Sequence, residues 1–243
     1  MEGEHRGMPL SIQLQEHIQR FLANHDLSSL YRAYKWGQDT WENGFPDMRQ
    51  LEVDLTRHAK QGYVTKTDIM KVADWGGLRN KQRVQCPDIV KISLYGGNDV
   101  AEFFRARPSD ALRTLKAVEG LGPTYQSKIL MFSRPQFYGA IDTRLVTVFG
   151  RGNNLIKGLK WILLRVAPGP YIPETQSSWP GEYDTWIEIL HHIASLCNSR
   201  GHKCPHPDEY IAIGLREKGI WIAADVETAL FSYASKRLQT DPR

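Results

Sequence analysis

Gly120, Gly122 and Pro123 form the stretch of this sequence most suited to chemistry, because together they can build a site for an anion. The two glycines allow a sharp turn, and Pro123 suits the first position of a helix that runs toward Ser133. Such a helix presents unpaired N–H groups around Gly120, Gly122 and Thr124, together with the positive end of its dipole. A phosphate fits there, although an ordinary connection between two helices also uses glycine followed by proline.

A second helix is expected immediately before this turn. Ser109 is a candidate N-cap, and apolar residues then recur at helical spacing as far as Val118. The two helices and the glycine turn between them, residues 109–132, therefore predict a helix-hairpin-helix.

Asp142 and Lys128 are the ionisable residues that stand out near the turn. Asp142 is an acid in an apolar-to-basic context, Ala140-Ile-Asp-Thr-Arg144, and it also suits the N-cap of a helix beginning at Thr143. An acid at that position is expected to stay ionised. Lys128 has three readings: an amine nucleophile, a phosphate contact or a surface lysine. The first requires burial or nearby positive charge to lower its pKa.

These residues resemble the helix-hairpin-helix-GPD DNA glycosylases, and within them the 8-oxoguanine glycosylase-like branch. The resemblance rests on Gly120, Gly122, Pro123, Lys128, Pro135 and the Asp142-Thr143-Arg144 element, about a sixth of the chain. It implies that Asp142 is the catalytic carboxylate. Breaking a glycosidic bond develops positive charge on the sugar, which a carboxylate stabilises while water attacks.

The chain departs from the family pattern at the lysine of its bifunctional members. Those enzymes place a lysine two residues after the second hairpin glycine, where this sequence has Thr124. Lys128 lies one helical turn further on, about 6 Å along the axis. Thr124 therefore favours water as the nucleophile and an abasic product, and a Schiff base on Lys128 remains the alternative.

Loop tryptophans are candidates for holding a flipped base. Trp75, Trp36 and Trp41 border glycine, asparagine or proline breaks, where loops form and ligands bind, and Trp179 has a similar setting. A bulky modified base would need more of such rings, and the alternative is that they fill space between helices. The remaining tryptophans, such as Trp161, Trp186 and Trp221, are expected in the core.

Charge is concentrated around the hairpin. Residues 111–170 carry nine basic side chains against Glu119 and Asp142, a net +7, whereas the remainder carries −3. This distribution suits a phosphate backbone, although charge runs are often solvated faces. Arg134 and Arg144 are the basic residues assigned to DNA binding. The expected partner is double-stranded DNA, bound by a monomer that needs no cofactor.

The rest of the chain predicts an all-α protein. Helical spacing marks residues 10–22, 27–34, 48–58, 65–74, 89–94, 100–104, 146–149, 155–166 and 186–197, with a final helix capped by Asp225. Residues 36–46 are expected to be a loop. The resemblance implies a two-lobed fold with a cleft: residues 36–140 form one lobe, containing the hairpin, and residues 1–35 plus 141–243 form the other.

Cysteine usage and the N-terminus favour the cytoplasm, with nucleoid association in a bacterium. Three cysteines give no even disulfide framework, the start shows no signal-peptide pattern, and no apolar stretch is long enough to span a membrane. Zinc remains open at Cys197, His202, Cys204 and His206, whose spacing is unusual. An iron–sulfur cluster is not expected, because two of the four cysteines are missing.

The sequence therefore predicts a DNA glycosylase that leaves an abasic site. Its substrate is an oxidised purine such as 8-oxoguanine or a bulky modified base, for instance a modified cytosine in phage DNA, so that repair and antiviral defence both stay open. A non-catalytic helix-hairpin-helix DNA-binding module and a glycosylase with lyase activity through Lys128 are the alternatives.

Overall fold

A computed structural model describes residues 10–151 and 159–240, and in them the chain is predominantly helical. Eleven α-helices in these ranges are α1 Ile12–Asn24, α2 Leu27–Arg32, α3 Pro46–Ala59, α4 Lys66–Trp75, α5 Val100–Arg105, α6 Pro108–Thr114, α7 Pro123–Ser133, α8 Thr143–Phe149, α9 Gly181–Ser199, α10 Asp208–Ala212 and α11 Ala223–Thr240. Short 3-10 turns cover Lys81–Arg83 and Leu115–Ala117.

Two small antiparallel sheets modify the all-α expectation. Strands β1 Lys35–Trp36 and β2 Asp39–Thr40 pair where a loop was predicted, because Gly37 adopts a φ of +58° and closes a two-residue turn. Strands β3 Tyr63–Thr65 and β4 Ile89–Lys91 also pair. The helix predicted for residues 89–94 is therefore wrong: the β-branched Ile89 and Val90 extend the chain and place Val90 in the core.

Two helix boundaries and one predicted helix differ from the sequence-based expectation. Pro108 takes the first position of α6, so Ser109 is not the N-cap; its N–H and hydroxyl bind Asp184 of α9 instead. Asp225 lies in the first turn of α11, which begins two residues earlier. The helix predicted for residues 155–166 is absent from 159–166, and residues 155–158 lie outside the described ranges.

The helix predicted for residues 65–74 is confirmed as α4, and the core positions predicted for three tryptophans are confirmed. Thr65 and Asp68 form the reciprocal capping box at the start of α4, with each side chain accepting from the other residue's N–H. Trp161, Trp186 and Trp221 are buried. No helix in the described ranges is both long and apolar enough to cross a membrane.

Two central helices organise the packing. Helix α7 packs on α3, α4 and α6, and α11 packs on α2, α8 and α9. Helix α6 also contacts α9, and the buried apolar side chains form one continuous cluster. The division into two lobes at residues 36–140 therefore stays a prediction.

Candidate active site

The glycine turn joins α6 to α7 through a backbone that requires glycine at one position. Gly120 has a φ of +80°, and a Cβ there would lie 2.4 Å from the carbonyl oxygen of Arg83. Gly122, by contrast, has an ordinary φ of −84° and open space around it. The close approach at Gly120 fixes the turn against the segment after α4, because Glu119 and Gln85 form a β-bridge beside it.

The start of α7 leaves two backbone donors free. Gly122 is the N-cap residue, and its carbonyl oxygen accepts the N–H groups of Tyr125 and Gln126. The N–H groups of Gly122 and Thr124 find no acceptor within the described residues, and Pro123 has no N–H. The predicted anion site at the start of α7 therefore has two free N–H donors, and no side chain on Gly122 covers them.

Asp142 is buried at the N-terminus of α8. Its Oδ1 accepts the Leu145 N–H at 2.9 Å, as the N-cap reading predicts. Ser127 of α7 fixes Ile141, the residue before Asp142, because its hydroxyl accepts the Ile141 N–H and donates to the Ile141 carbonyl oxygen. Burial raises the pKa of Asp142, and the opposing effects of Lys128, the Leu145 N–H and Arg144 do not fully offset it.

Lys128 extends from α7 into the protein interior rather than into solvent. Its Nζ lies 4.8 Å from the ring centroid of Trp75, 5.4 Å from that of Trp36 and 5.5 Å from that of Tyr125. Burial lowers the pKa of this amine, while the negative charges of Asp142 and Glu227 act to raise it. The surface-lysine reading is therefore wrong, because the side chain is only 7% exposed.

Glu227 of α11 completes a cluster that sequence reasoning missed. Its carboxyl group lines the same cavity as Lys128 and Asp142, and it is 6% exposed. Burial and the nearby Asp142 raise the pKa of Glu227 well above its ordinary value, although Lys128 opposes the shift. A signal was present in the sequence: the neighbours of Glu227 at helical spacing are apolar, namely Ala223, Ala224, Leu230 and Phe231.

Aromatic and apolar side chains form the walls of this cavity. It is lined by Tyr34, Trp36, Met48, Trp75, Lys128, Met131, Ala140, Asp142, Glu227 and Phe231. Its volume is about 10 Å³, which is room for about one water molecule. A nucleobase would therefore enter only if the lining side chains moved.

The two cavity tryptophans are held by hydrogen bonds to other elements. The Trp36 indole N–H donates to the carbonyl oxygen of Trp75 at 2.7 Å, and the Trp75 indole N–H donates to Asp39 Oδ2 at 2.7 Å. Asp39 is fully buried, and its other oxygen accepts the N–H groups of Asp47 and Met48 at the start of α3. One carboxylate thus orients Trp75 and caps a helix, a role that its place in the predicted loop did not reveal.

Arg144 lies beside the cavity, whereas Arg134 and Trp41 lie elsewhere. The Arg144 guanidinium is 5.1 Å from the ring centroid of Trp36 and donates to Ser235. Arg134 donates to the carbonyl oxygens of Tyr95 and Gly97, and it lines a separate cavity. Trp41 is outside the residues that line the Lys128 cavity; its indole donates to the Pro205 carbonyl oxygen, and Arg32 lies over its ring.

The structure does not gather the four residues considered for zinc. Within the described ranges, the potential metal-ligating group is Cys204, His206 and Asp225, with ligand atoms within 4.8 Å of one another. Both Asp225 oxygens are already engaged, one by His206 Nε2 at 3.0 Å and one by Arg216 Nε at 2.8 Å. Cys197 and His202 instead line a surface groove beside α1. His206, Asp225 and Arg216 therefore form a buried ion-pair network, which explains why these side chains lie so close together.

Comparison with known proteins gives no relative. No protein-family model matches the chain, and no curated protein or solved structure shows significant similarity to it.

Proposed function

We propose that this protein is a DNA glycosylase that flips a damaged or modified base out of the duplex and hydrolyses its N-glycosidic bond. The observation that carries the proposal is the burial of Lys128, Asp142 and Glu227 around one aromatic-lined cavity. Buried ionisable groups cost stability, and their clustering with shifted pKa values is characteristic of functional sites.

The roles follow from position. Asp142 stabilises the positive charge that develops on the sugar and orients the attacking water. The free N–H groups of Gly122 and Thr124 bind a backbone phosphate, since they point from the positive end of α7. Trp36 and Trp75 stack on the flipped base once the cavity opens. Arg144 and the basic block of residues 111–170 attract the duplex.

The resemblance favours an oxidised purine such as 8-oxoguanine as the substrate. A bulky modified base, for instance a modified cytosine in phage DNA, is the other candidate, because the aromatic walls offer stacking area. Repair and antiviral defence are the corresponding biological roles. The protein acts as a monomer on double-stranded DNA in the cytoplasm, without a cofactor.

A base-excision screen tests the proposal. Purified protein is incubated with duplexes bearing oxidised, alkylated, deaminated and glucosylated bases, and products are read with and without alkaline cleavage. We expect alkali-dependent cleavage of one duplex, and Asp142→Asn should lower its rate on the order of 100-fold or more while duplex affinity stays unchanged. Asp110→Asn is the matched control, because Asp110 is an exposed acid of the same hairpin.

A binding module without catalysis would give a different result. It would bind every duplex and cut none, and Asp142→Asn would then change only helix capping. Such a module has no use for Lys128, Asp142 and Glu227 in one buried cluster, which is why we rank it second.

A lyase activity through Lys128 has one observation in its favour. Burial lowers the pKa of this amine and so increases the fraction of neutral, nucleophilic lysine. Borohydride trapping on the cleaved duplex separates the two mechanisms. A covalent adduct lost in Lys128→Gln would establish the Schiff base, and its absence leaves water as the nucleophile.

A further inference from the structure

We propose that Glu227 is the second catalytic carboxyl group of this site, a general acid that delivers a proton to the departing base. The inference rests on the proposed glycosylase function and adds a residue and a step to it. Asp142 then acts on the sugar and Glu227 acts on the base.

The position of Glu227 supports this role. Glu227 comes from α11 and Asp142 from the start of α8, yet both line one cavity of about 10 Å³. Helix α11 packs directly on the segment leading to Asp142, since a Cβ on Gly139 would lie 3.2 Å from Glu227 Cβ. A base stacked on Trp36 and Trp75 after the cavity opens would therefore lie beside two carboxyl groups that come from different elements.

The charges around Glu227 also support this role. The groups that interact electrostatically with it are Lys128 of α7, Asp142 at the N-cap of α8, Tyr34 after α2 and Tyr183 of α9. Two carboxyl groups in one buried cavity disfavour double ionisation. Asp142 accepts an N-cap bond and lies beside Lys128 and Arg144, whereas burial and Asp142 itself raise the pKa of Glu227 well above its ordinary value.

In this proposal the proton resides on Glu227, and Asp142, which accepts the Leu145 N–H and lies beside two cations, is the ionised partner. Pairs of titratable groups whose surroundings separate their pKa values divide acid and base roles in this way. The tryptophan, tyrosine and phenylalanine walls keep bulk water from the acid.

Excision is then a hydrolysis in which each proton has a donor and an acceptor. The C1′–N bond breaks and its electron pair passes to the base, which takes the proton from the Glu227 carboxyl group. Asp142 stabilises the resulting sugar cation, water adds to C1′, and the water proton passes to Asp142. Transfer of that proton from Asp142 to Glu227 restores both groups, so that the net change is addition of one water across the glycosidic bond.

The experiment compares Glu227→Gln with wild type in single-turnover excision of the duplex that the excision screen finds to be cut fastest, across a range of pH. We expect wild-type excision to fall as pH rises through the pKa of Glu227, and the variant to be slower by on the order of 100-fold with no such fall. Duplex affinity should be unchanged. Glu217→Gln, at an exposed position, is the matched control.

A fluorinated analogue of the same base distinguishes a general acid from a residue that only maintains the structure. Fluorine makes the base a better leaving group, so the deficit of Glu227→Gln should shrink on it. Glu227→Asp keeps a carboxyl group and should retain the pH-dependent fall. Thermal unfolding shows whether each variant is folded. If Glu227→Gln does not fold, the pH dependence of excision by Glu227→Asp tests the general-acid role instead.

The outcomes separate the two proposals. If wild type excises a base while Glu227→Gln matches its rate and pH profile, or loses activity equally on both leaving groups, the general acid is refuted and the glycosylase stands. If wild type cuts no duplex, the glycosylase fails and the general acid fails with it.

Discussion

Individual carboxyl groups of this protein have different pKa values because their surroundings differ. Glu188 of α9 shows this outside the candidate site: burial and the neighbouring Asp184 raise its pKa to about 7. Asp225 behaves in the opposite way, because Arg216 and His206 together outweigh the effect of burial and lower its pKa. Because each shift changes how many protons the folded state binds, it makes the free energy of unfolding depend on pH.

Substituting Glu188→Gln should stabilise the protein above pH 7. The folded state holds the Glu188 proton up to about pH 7, whereas the unfolded chain releases it near the ordinary glutamate pKa of 4.5. Folded protein therefore binds more protons in this window, and stability falls as pH rises through it. Since the side chain is partly solvated, we expect a gain of about 1 kcal/mol at pH 8 that vanishes near pH 4.

Urea unfolding at several pH values measures this difference. Glu16→Gln on α1 is the control, because Glu16 is exposed. A gain for Glu188→Gln that is equally large at pH 4 would contradict the assignment.

At this scale, sequence reasoning reached Lys128 and Asp142 because each lies at a fixed distance from the hairpin glycines. Glu227 lies about a hundred residues from the hairpin, and only the packing of α11 on α8 brings it to the cavity. Asp39 of β2 was missed for the same reason, since its partner Trp75 lies 36 residues away on α4. Local patterns do not encode such distant pairings.

At the scale of elements, the turn between α6 and α7 depends on one glycine more than on the other. Gly120 needs both a positive φ and the absence of a side chain, because the Arg83 carbonyl oxygen lies against it. Gly122 needs neither, although it lies closer to the free N–H groups of α7. The hairpin pattern alone assigns the two glycines equal weight.

Gly120→Ala should destabilise the protein by about 2 kcal/mol or more, through backbone strain and displacement of the segment at Arg83. Gly122→Ala should cost less than about 1 kcal/mol, since alanine is only a poorer N-cap there. Chemical unfolding of both variants measures the contrast. Equal losses would mean that the turn has a different geometry.

The elements themselves were predicted unevenly. Helices α3, α4, α7 and α9 followed from apolar periodicity and caps, because these signals are local. Strand β4 did not, since Ile89 and Val90 fit a helix pattern as well as a strand until β3 pairs with them. Pro108 displaced the expected cap at Ser109, which shows that a proline at the first helical position outweighs a good capping residue.

At the scale of the whole molecule, a buried ion-pair network joins distant parts of the chain. Arg216 lies between α10 and α11, and it binds both oxygens of Glu52 on α3 at 2.7 Å and Asp225 on α11 at 2.8 Å. His206 adds a bond to the other Asp225 oxygen. All four side chains are buried, so their charges depend on one another for compensation.

Arg216→Met should therefore cost about 3 to 5 kcal/mol, because it leaves Glu52 and Asp225 buried without their cation. Lys71→Met is the matched control: it breaks the Lys71–Asp54 pair, whose lysine is half exposed, and should cost less than about 1 kcal/mol. Thermal and urea unfolding measure both. A small loss for Arg216→Met would show that water or a proton compensates the two acids.

Trp36 and Trp75 also give the protein an optical reporter at its candidate site. Both indole rings line the small cavity and lie beneath the Lys128 ammonium, while Trp161, Trp186 and Trp221 are buried in the core. A nucleobase stacked between the two cavity rings would quench their emission and leave the core signal as a constant background. Intrinsic fluorescence would therefore follow base insertion in real time, without a label and separately from bond cleavage.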